Sequence, residues 1–120
     1  MDSKAMFSKL SEIFNTRNID AVDELFSAKY VDHQRPEWMT QDGKEEFIAI
    51  VKLARDSMPG LQVNNIGPII AENDMVVGRM YWSSKTVEHE TIEILRIENG
   101  RFAEHWGAKA WSHKKDVTNE

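Results

Sequence analysis

The sequence predicts an α+β fold, with helices against one face of a mostly antiparallel sheet. Two observations predict it. Helical periodicity is confined to the first half of the chain and extended, turn-punctuated segments to the second, the segregation expected of α+β proteins. The C-terminal third reads as one long hairpin: His89 to Glu98, then Asn99-Gly100, then Arg101 to Trp111. Asn-Gly is the dipeptide of a type I′ turn, because both central residues need positive φ.

The elements follow in order. Residues 3–15 form a helix with Met6, Leu10, Ile13 and Phe14 on one stripe and Ser3 as N-cap. A short helix covers about Asp20 to Ser27, and Tyr30 to His33 is a short extended segment closed by Gln34-Arg35-Pro36. Asp42-Gly43 opens a third helix to about Ser57, with Phe47, Ile50, Val51 and Ala54 on its apolar stripe; Pro59-Gly60 stops it. Leu61 to Ile70 is a strand interrupted by Gly67-Pro68, which signals a bulge or a sheet edge. Met75 to Ser83 is the next strand. Residues 1–112 are expected to form one domain and 113–120 a frayed polar tail.

A tight turn fixes register. Counting from Asn99-Gly100 pairs Glu98 with Arg101, Ile97 with Phe102, Leu95 with Glu104, Glu93 with Trp106, Thr91 with Ala108 and His89 with Ala110. One face then carries His89, Thr91, Glu93, Leu95, Ile97, Phe102, Glu104 and Trp106. The other carries Ile92, Ile94, His105 and Trp111, with Glu90 opposite Lys109. A solid core does not accommodate Glu93 and Glu104 on its face; a pocket does.

Composition bounds the function. The 120 residues hold 41% hydrophobic and 29% charged side chains, ordinary for a soluble globular protein. A net charge of −5 argues against nucleic-acid binding, which rests on phosphate neutralisation. No apolar run approaches membrane-span length, and no signal peptide is expected at the N-terminus. The absence of cysteine removes disulfides, thiolate metal sites and a cysteine nucleophile, and fits a cytoplasmic location. No histidine pair has ligand spacing on a helix and no Gly-rich loop precedes one, so neither a metal nor a cofactor is expected.

The run Tyr-Val-Asp-His33, the helix ending Met-Pro-Gly-Leu61, and Glu-Ile-Leu-Arg-Ile-Glu-Asn-Gly-Arg-Phe-Ala-Glu-His-Trp106 together make the chain similar to the SnoaL-like polyketide cyclases. These belong to the nuclear-transport-factor-2-like superfamily, alongside ketosteroid isomerases and limonene epoxide hydrolases. The resemblance covers roughly residues 5–111. It implies a curved sheet wrapped around the N-terminal helices to form a cone with an internal apolar cavity, and a homodimer through the convex sheet face.

The resemblance also implies roles. His33 stands where the isomerases place their base, and imidazole exchanges a proton near neutrality; the alternative is a structural histidine closing the mouth of the cone. Glu93 matches the position of the isomerase acid that stabilises an oxyanion, a role favoured for a carboxyl in an apolar cavity; the alternative is a salt-bridged rim residue. Trp38, Trp82, Leu95, Phe102, Glu104 and Trp106 are the candidate ligand-binding residues. The cyclases carry an Asp four residues after the signature Trp, or directly after it; here those positions are Ala110 and Gly107. Two functions follow. One is a cofactor-free isomerase or cyclase acting on a small hydrophobic carbonyl compound through His33 and Glu93. The other is a non-catalytic small-ligand-binding or dimeric interaction protein that has lost the family's Asp, its cavity empty if Met58, Met80 and Trp82 plug it.

Overall fold

The computed structural model describes residues 1–116. Helix α1 (Ser3–Thr16) is followed by a 3-10 turn (Ile19–Ala21), α2 (Val22–Leu25), strand β1 (Phe26–Asp32), α3 (Lys44–Ser57) and four strands: β2 (Gln62–Glu72), β3 (Met75–Ser83), β4 (Val87–Glu98) and β5 (Arg101–Lys114). The sheet order is β1-β5-β4-β3-β2, antiparallel except for the β1–β5 pair. This is the α+β cone, with the helices on one face of the sheet.

Local chemistry accounts for most boundaries. Asp2, not Ser3, caps α1: its Oδ1 accepts the Ala5 amide at 2.8 Å. The helix ends at Arg17 in the left-handed region (φ 61°). Asn15 then staples it to β2, its amide bonding both the Val63 carbonyl and the Val63 N–H at 2.7 Å. Gly43 precedes α3 at φ 61°, where a Cβ would lie 2.0 Å from the Ala28 carbonyl oxygen. Strand β2 is both an edge and irregular, its register shifting between Ile66 and Ile70 around Gly67-Pro68.

Three boundaries differ from expectation. The second helix stops at Leu25 and β1 begins at Phe26, because Phe26 and Tyr30 bury against α3 through Phe47. Burial of these rings outweighs the local helical pattern. Strand β4 begins at Val87 rather than His89. Strand β5 runs through Lys114, and Lys115 donates from Nζ to Ser83 Oγ (2.6 Å) and the Ser84 carbonyl (2.7 Å). Residues 113–115 are therefore anchored to the sheet; Asp116 follows without regular structure, and residues 117–120 of the expected tail lie outside the described residues.

The core sits between α1, α3 and the inner sheet face, around Phe7, Ile13, Phe26, Val51, Met80, Leu95 and Phe102. Gly78 on β3 admits α1: a Cβ there would meet the Phe7 ring at 2.5 Å. Gly78→Ala is expected to destabilise the fold by about 1–3 kcal/mol through overpacking. Urea denaturation checks this, and an unchanged midpoint would mean that Phe7 repacks freely.

Candidate functional site

A β-bulge decides which residues face the cavity. Glu98–Arg101 and Ile97–Phe102 pair as the turn predicts, but the register then shifts, so that Arg96 opposes Glu104, Leu95 opposes His105, Ile94 opposes Trp106 and Glu93 opposes Gly107. Ala103 is the extra residue. It and Phe102 are both buried. A one-residue shift exchanges the two faces of a strand. The expected pairings Leu95–Glu104, Glu93–Trp106 and Thr91–Ala108 are therefore replaced. His105 and Gly107 face inward; Glu104 and Trp106 face outward. A second shift between Glu90 and Thr91 replaces His89–Ala110 with His89–Ser112, and sets Glu90 opposite Trp111 instead of Lys109. The outer face expected to carry His105 carries Trp106 in its place.

Strand β1 supplies the second element of the site. Its residues alternate, so Tyr30 and Asp32 point inward while Val31 is half exposed. Asp32 sits beside His105 on the parallel neighbour, held by the His33 N–H to His105 carbonyl bond at 2.9 Å. His33, one residue further, falls on the outer side. Its ring stacks on Trp106 at 4.9 Å and Nε2 lies 2.5 Å from Glu104, which also accepts from Arg96 at 2.8 Å. His33, Glu104 and Trp106 thus form an outer-face cluster and do not line the cavity. Trp38 is exposed in the loop before α3, and Phe102 is packed within the core; neither lines the cavity. Glu93, Leu95 and Trp82 do.

The cavity measures about 270 Å³. Its walls are mostly apolar, from Leu10 and Phe14 of α1, Phe47 and Ile50 of α3, and Met80, Trp82 and Leu95 of the sheet. Met58, Met80 and Trp82 line this space without filling it. At one end stands a line of three titratable groups. His105 Nδ1 lies 2.9 Å from Asp32 Oδ1, and its Nε2 lies 2.6 Å from Glu93 Oε1. All three side chains are 11–13% exposed. A ring nitrogen facing a carboxylate must donate, so two carboxylate partners require both nitrogens protonated, the imidazolium form. Burial opposes that charge, but hydrogen bonds to Asp32 and Glu93 and their negative charges prevail and raise the His105 pKa to about 9. Burial likewise opposes the Asp32 carboxylate. The His105 hydrogen bond and charge, with the Gln34 backbone N–H at 2.8 Å, prevail and lower its pKa. The Tyr30 phenol beside them is pushed well above its ordinary pKa by burial and by the charges of Asp32, Glu46 and Glu93, and stays protonated.

Gly107 makes the Glu93–His105 contact possible. A Cβ there would lie 2.6 Å from Gln34 Oε1, 2.7 Å from Glu93 Oε1 and 3.1 Å from His105 Nε2. The Glu93 carboxylate occupies the space into which a side chain at 107 would project. Where the resemblance to the cyclases leads to the expectation of an Asp directly after Trp106, Gly107 leaves room that the Glu93 carboxylate of the adjacent strand fills. Gln34, placed by the turn that Asp32 caps, brings an amide to the same notch. Among the described residues no cluster of three His, Cys, Asp or Glu side chains has metal-binding geometry, and no helix is long and apolar enough to cross a membrane.

The chain belongs to the SnoaL-like polyketide cyclase family, whose model matches residues 4–109. Solved structures share the fold. IdmH from Streptomyces antibioticus, a candidate polyketide cyclase, superposes with a TM-score of 0.79 at 17% identity, over 92% of this chain and 93% of its own. A candidate polyketide cyclase from Bacillus cereus gives 0.78 at 16% identity, over 88% and 72%. TsrD from Streptomyces laurentii gives 0.76 at 20% identity, over 92% and 91%. At such identities the likeness is one of fold alone. No curated protein matches the chain.

Proposed function

We propose that this protein is a cofactor-free acid–base enzyme, an isomerase or cyclase, acting on a small hydrophobic carbonyl compound. The observation that carries the reading is the Asp32–His105–Glu93 line at the end of a mostly apolar cavity. Paired, desolvated titratable groups in a cleft are what proton transfer to and from carbon requires.

Glu93 is the base. His105 holds Oε1, leaving Oε2 to take a proton from the carbon next to the carbonyl. The imidazolium supplies the counter-charge that lets a carboxylate stand among apolar walls. Its field stabilises the negative charge that develops on the enolate oxygen. The proton on Glu93 then returns to a second carbon, giving an isomer, or to the oxygen of a second carbonyl attacked by the enolate carbon, giving a ring. Asp32 orients His105 and is a positioning residue.

The test follows α-proton exchange of one- and two-ring aryl methyl ketones in D2O by NMR. The protein is expected to accelerate exchange. Glu93→Gln is expected to lower that acceleration by about 10²- to 10⁴-fold, and His33→Ala to leave it at the wild-type level. Exchange that survives Glu93→Gln, or that is lost with His33→Ala, would overturn the assignment.

A further inference from the structure

Further along the cavity wall from the Glu93–His105 pair stands a histidine with an unpartnered ring nitrogen among the described residues. His89 lines the cavity, and its Nδ1 is buried without a partner among the described residues. Its ring stacks on Trp82, with centroids 5.7 Å apart and an interplanar angle of 29°. The Trp82 indole N–H is already given to Thr91 Oγ1 at 2.8 Å, so the indole cannot serve a ligand and instead fixes the wall against which the imidazole lies. A buried polar atom left unpaired in a native fold calls for a reason.

Chemistry decides which nitrogen is useful. A buried N–H without an acceptor is rarer than an unpaired acceptor. The proton of a neutral His89 therefore belongs on Nε2, with the lone pair on the sealed Nδ1. Burial, helped by the Lys109 charge and opposed by Glu93, lowers the His89 pKa and keeps the ring neutral at pH 7. The side chain is then a single fixed N–H donor.

Position gives this donor a purpose. His89 and Glu93 lie four residues apart on one face of β4, about 13 Å from Cα to Cα at the usual strand rise. Between them on β4 stands Thr91, opposite Met80 of β3, while Trp82 lies opposite His89 with Phe14 packed against it. We infer that His89 reads the far end of the ligand, donating from Nε2–H to an oxygen acceptor remote from the reacting carbonyl. The ligand class is accordingly an apolar compound carrying a carbonyl at one end and an oxygen acceptor at the other. The inference rests on the reading of Glu93 and His105 as the reacting end.

Binding of 2-acetylnaphthalene and 2,6-diacetylnaphthalene, followed by fluorescence titration, tests it. The first carries one ketone; the second adds an acceptor at the opposite end of the same flat body. The wild type is expected to bind the diketone about threefold to tenfold more tightly, the reach of one neutral hydrogen bond. His89→Phe, which keeps a ring against Trp82, is expected to abolish that preference while leaving the monoketone affinity unchanged. Nitrogen-resolved NMR of the free protein is expected to show His89 neutral with its proton on Nε2. A preference that persists in His89→Phe, or a proton found on Nδ1, overturns the inference and leaves the reacting-end reading intact. Failure of both ketones to bind the wild type overturns both.

Discussion

Replacing His105 with leucine is expected to destabilise the protein by about 3–5 kcal/mol at neutral pH, the usual cost of removing one partner from a buried ion pair. Asp32 and Glu93 are then left in the same nearly dry corner without their cation. The loss has a characteristic pH dependence. Two unpaired buried carboxylates prefer to be protonated in the folded state, so acidification should restore much of the variant's stability. The wild type should behave in the opposite way at alkaline pH. The folded His105 pKa is about 9, against about 6.5 in an unfolded chain. A group whose pKa is raised by folding contributes its full stabilisation below the unfolded value and loses it as pH rises through the folded one. The contribution is about 3 kcal/mol by that linkage. The wild type should therefore lose stability between about pH 6.5 and 9. The lowered Asp32 pKa reports the same interaction from its other partner and is not added to it. Urea unfolding across pH 4–10 measures both curves. A His105→Leu curve parallel to the wild type would remove the imidazolium from the account. If His105→Leu does not fold, the variant Asp32→Asn, Glu93→Gln, His105→Leu keeps the question open to measurement. Neutralising the whole cluster should recover stability, because no charge is then stranded.

The fold was legible because each of its signals is local. The Asn99-Gly100 turn, the Gly67-Pro68 irregularity at an edge and the stripes of α1 and α3 are all consequences of backbone sterics or of periodic burial. The site was half legible. Glu93 and Leu95 face the cavity as read, because β4 keeps its alternation from Ile97 back to His89. Strand β5 does not keep its own. An extra residue at Ala103 leaves no turn residue or proline to mark it, and register counted from the turn passes straight over it, placing His105 outside and Glu104 and Trp106 inside. The one local hint was Phe102-Ala103, adjacent apolar residues in a strand that otherwise alternates. Asp32 was within reach of the sequence. If Tyr30 packs inward, period two sends Asp32 inward and His33 outward. The resemblance to the isomerases drew attention to His33 instead. Gln34 gave no signal, since its place in the notch depends on a turn held by a side chain.

Gly107 and Glu93 offer a way to move the carboxylate without moving the histidine. A Cβ at 107 and the Glu93 carboxylate compete for one space, within about 3 Å of each other and of His105 Nε2. Gly107→Ala alone should wedge the pair apart and cost about 1–3 kcal/mol. Glu93→Ala alone removes one of the two charges that hold His105 protonated, so its pKa should fall from about 9 toward the ordinary range while Asp32 retains part of the lift. The double variant Glu93→Ala, Gly107→Asp empties the space on β4 and refills it from β5. A carboxylate returns beside Nε2, and NMR titration of His105 should show its pKa rising again above that of Glu93→Ala. Ketone α-proton exchange should recover with it, by at least tenfold over Glu93→Ala, if the carboxylate's place and not its strand of origin governs the chemistry. A double variant whose His105 titrates like that of Glu93→Ala would show that residue 107 cannot reach the imidazole. A recovered pKa without recovered exchange would show that the ion pair is structural and that the base lies elsewhere. The first result would break the equivalence between Glu93 and the family's Asp, and the second would break the assignment of Glu93 as base, so the two claims stand or fall on separate signals from one protein.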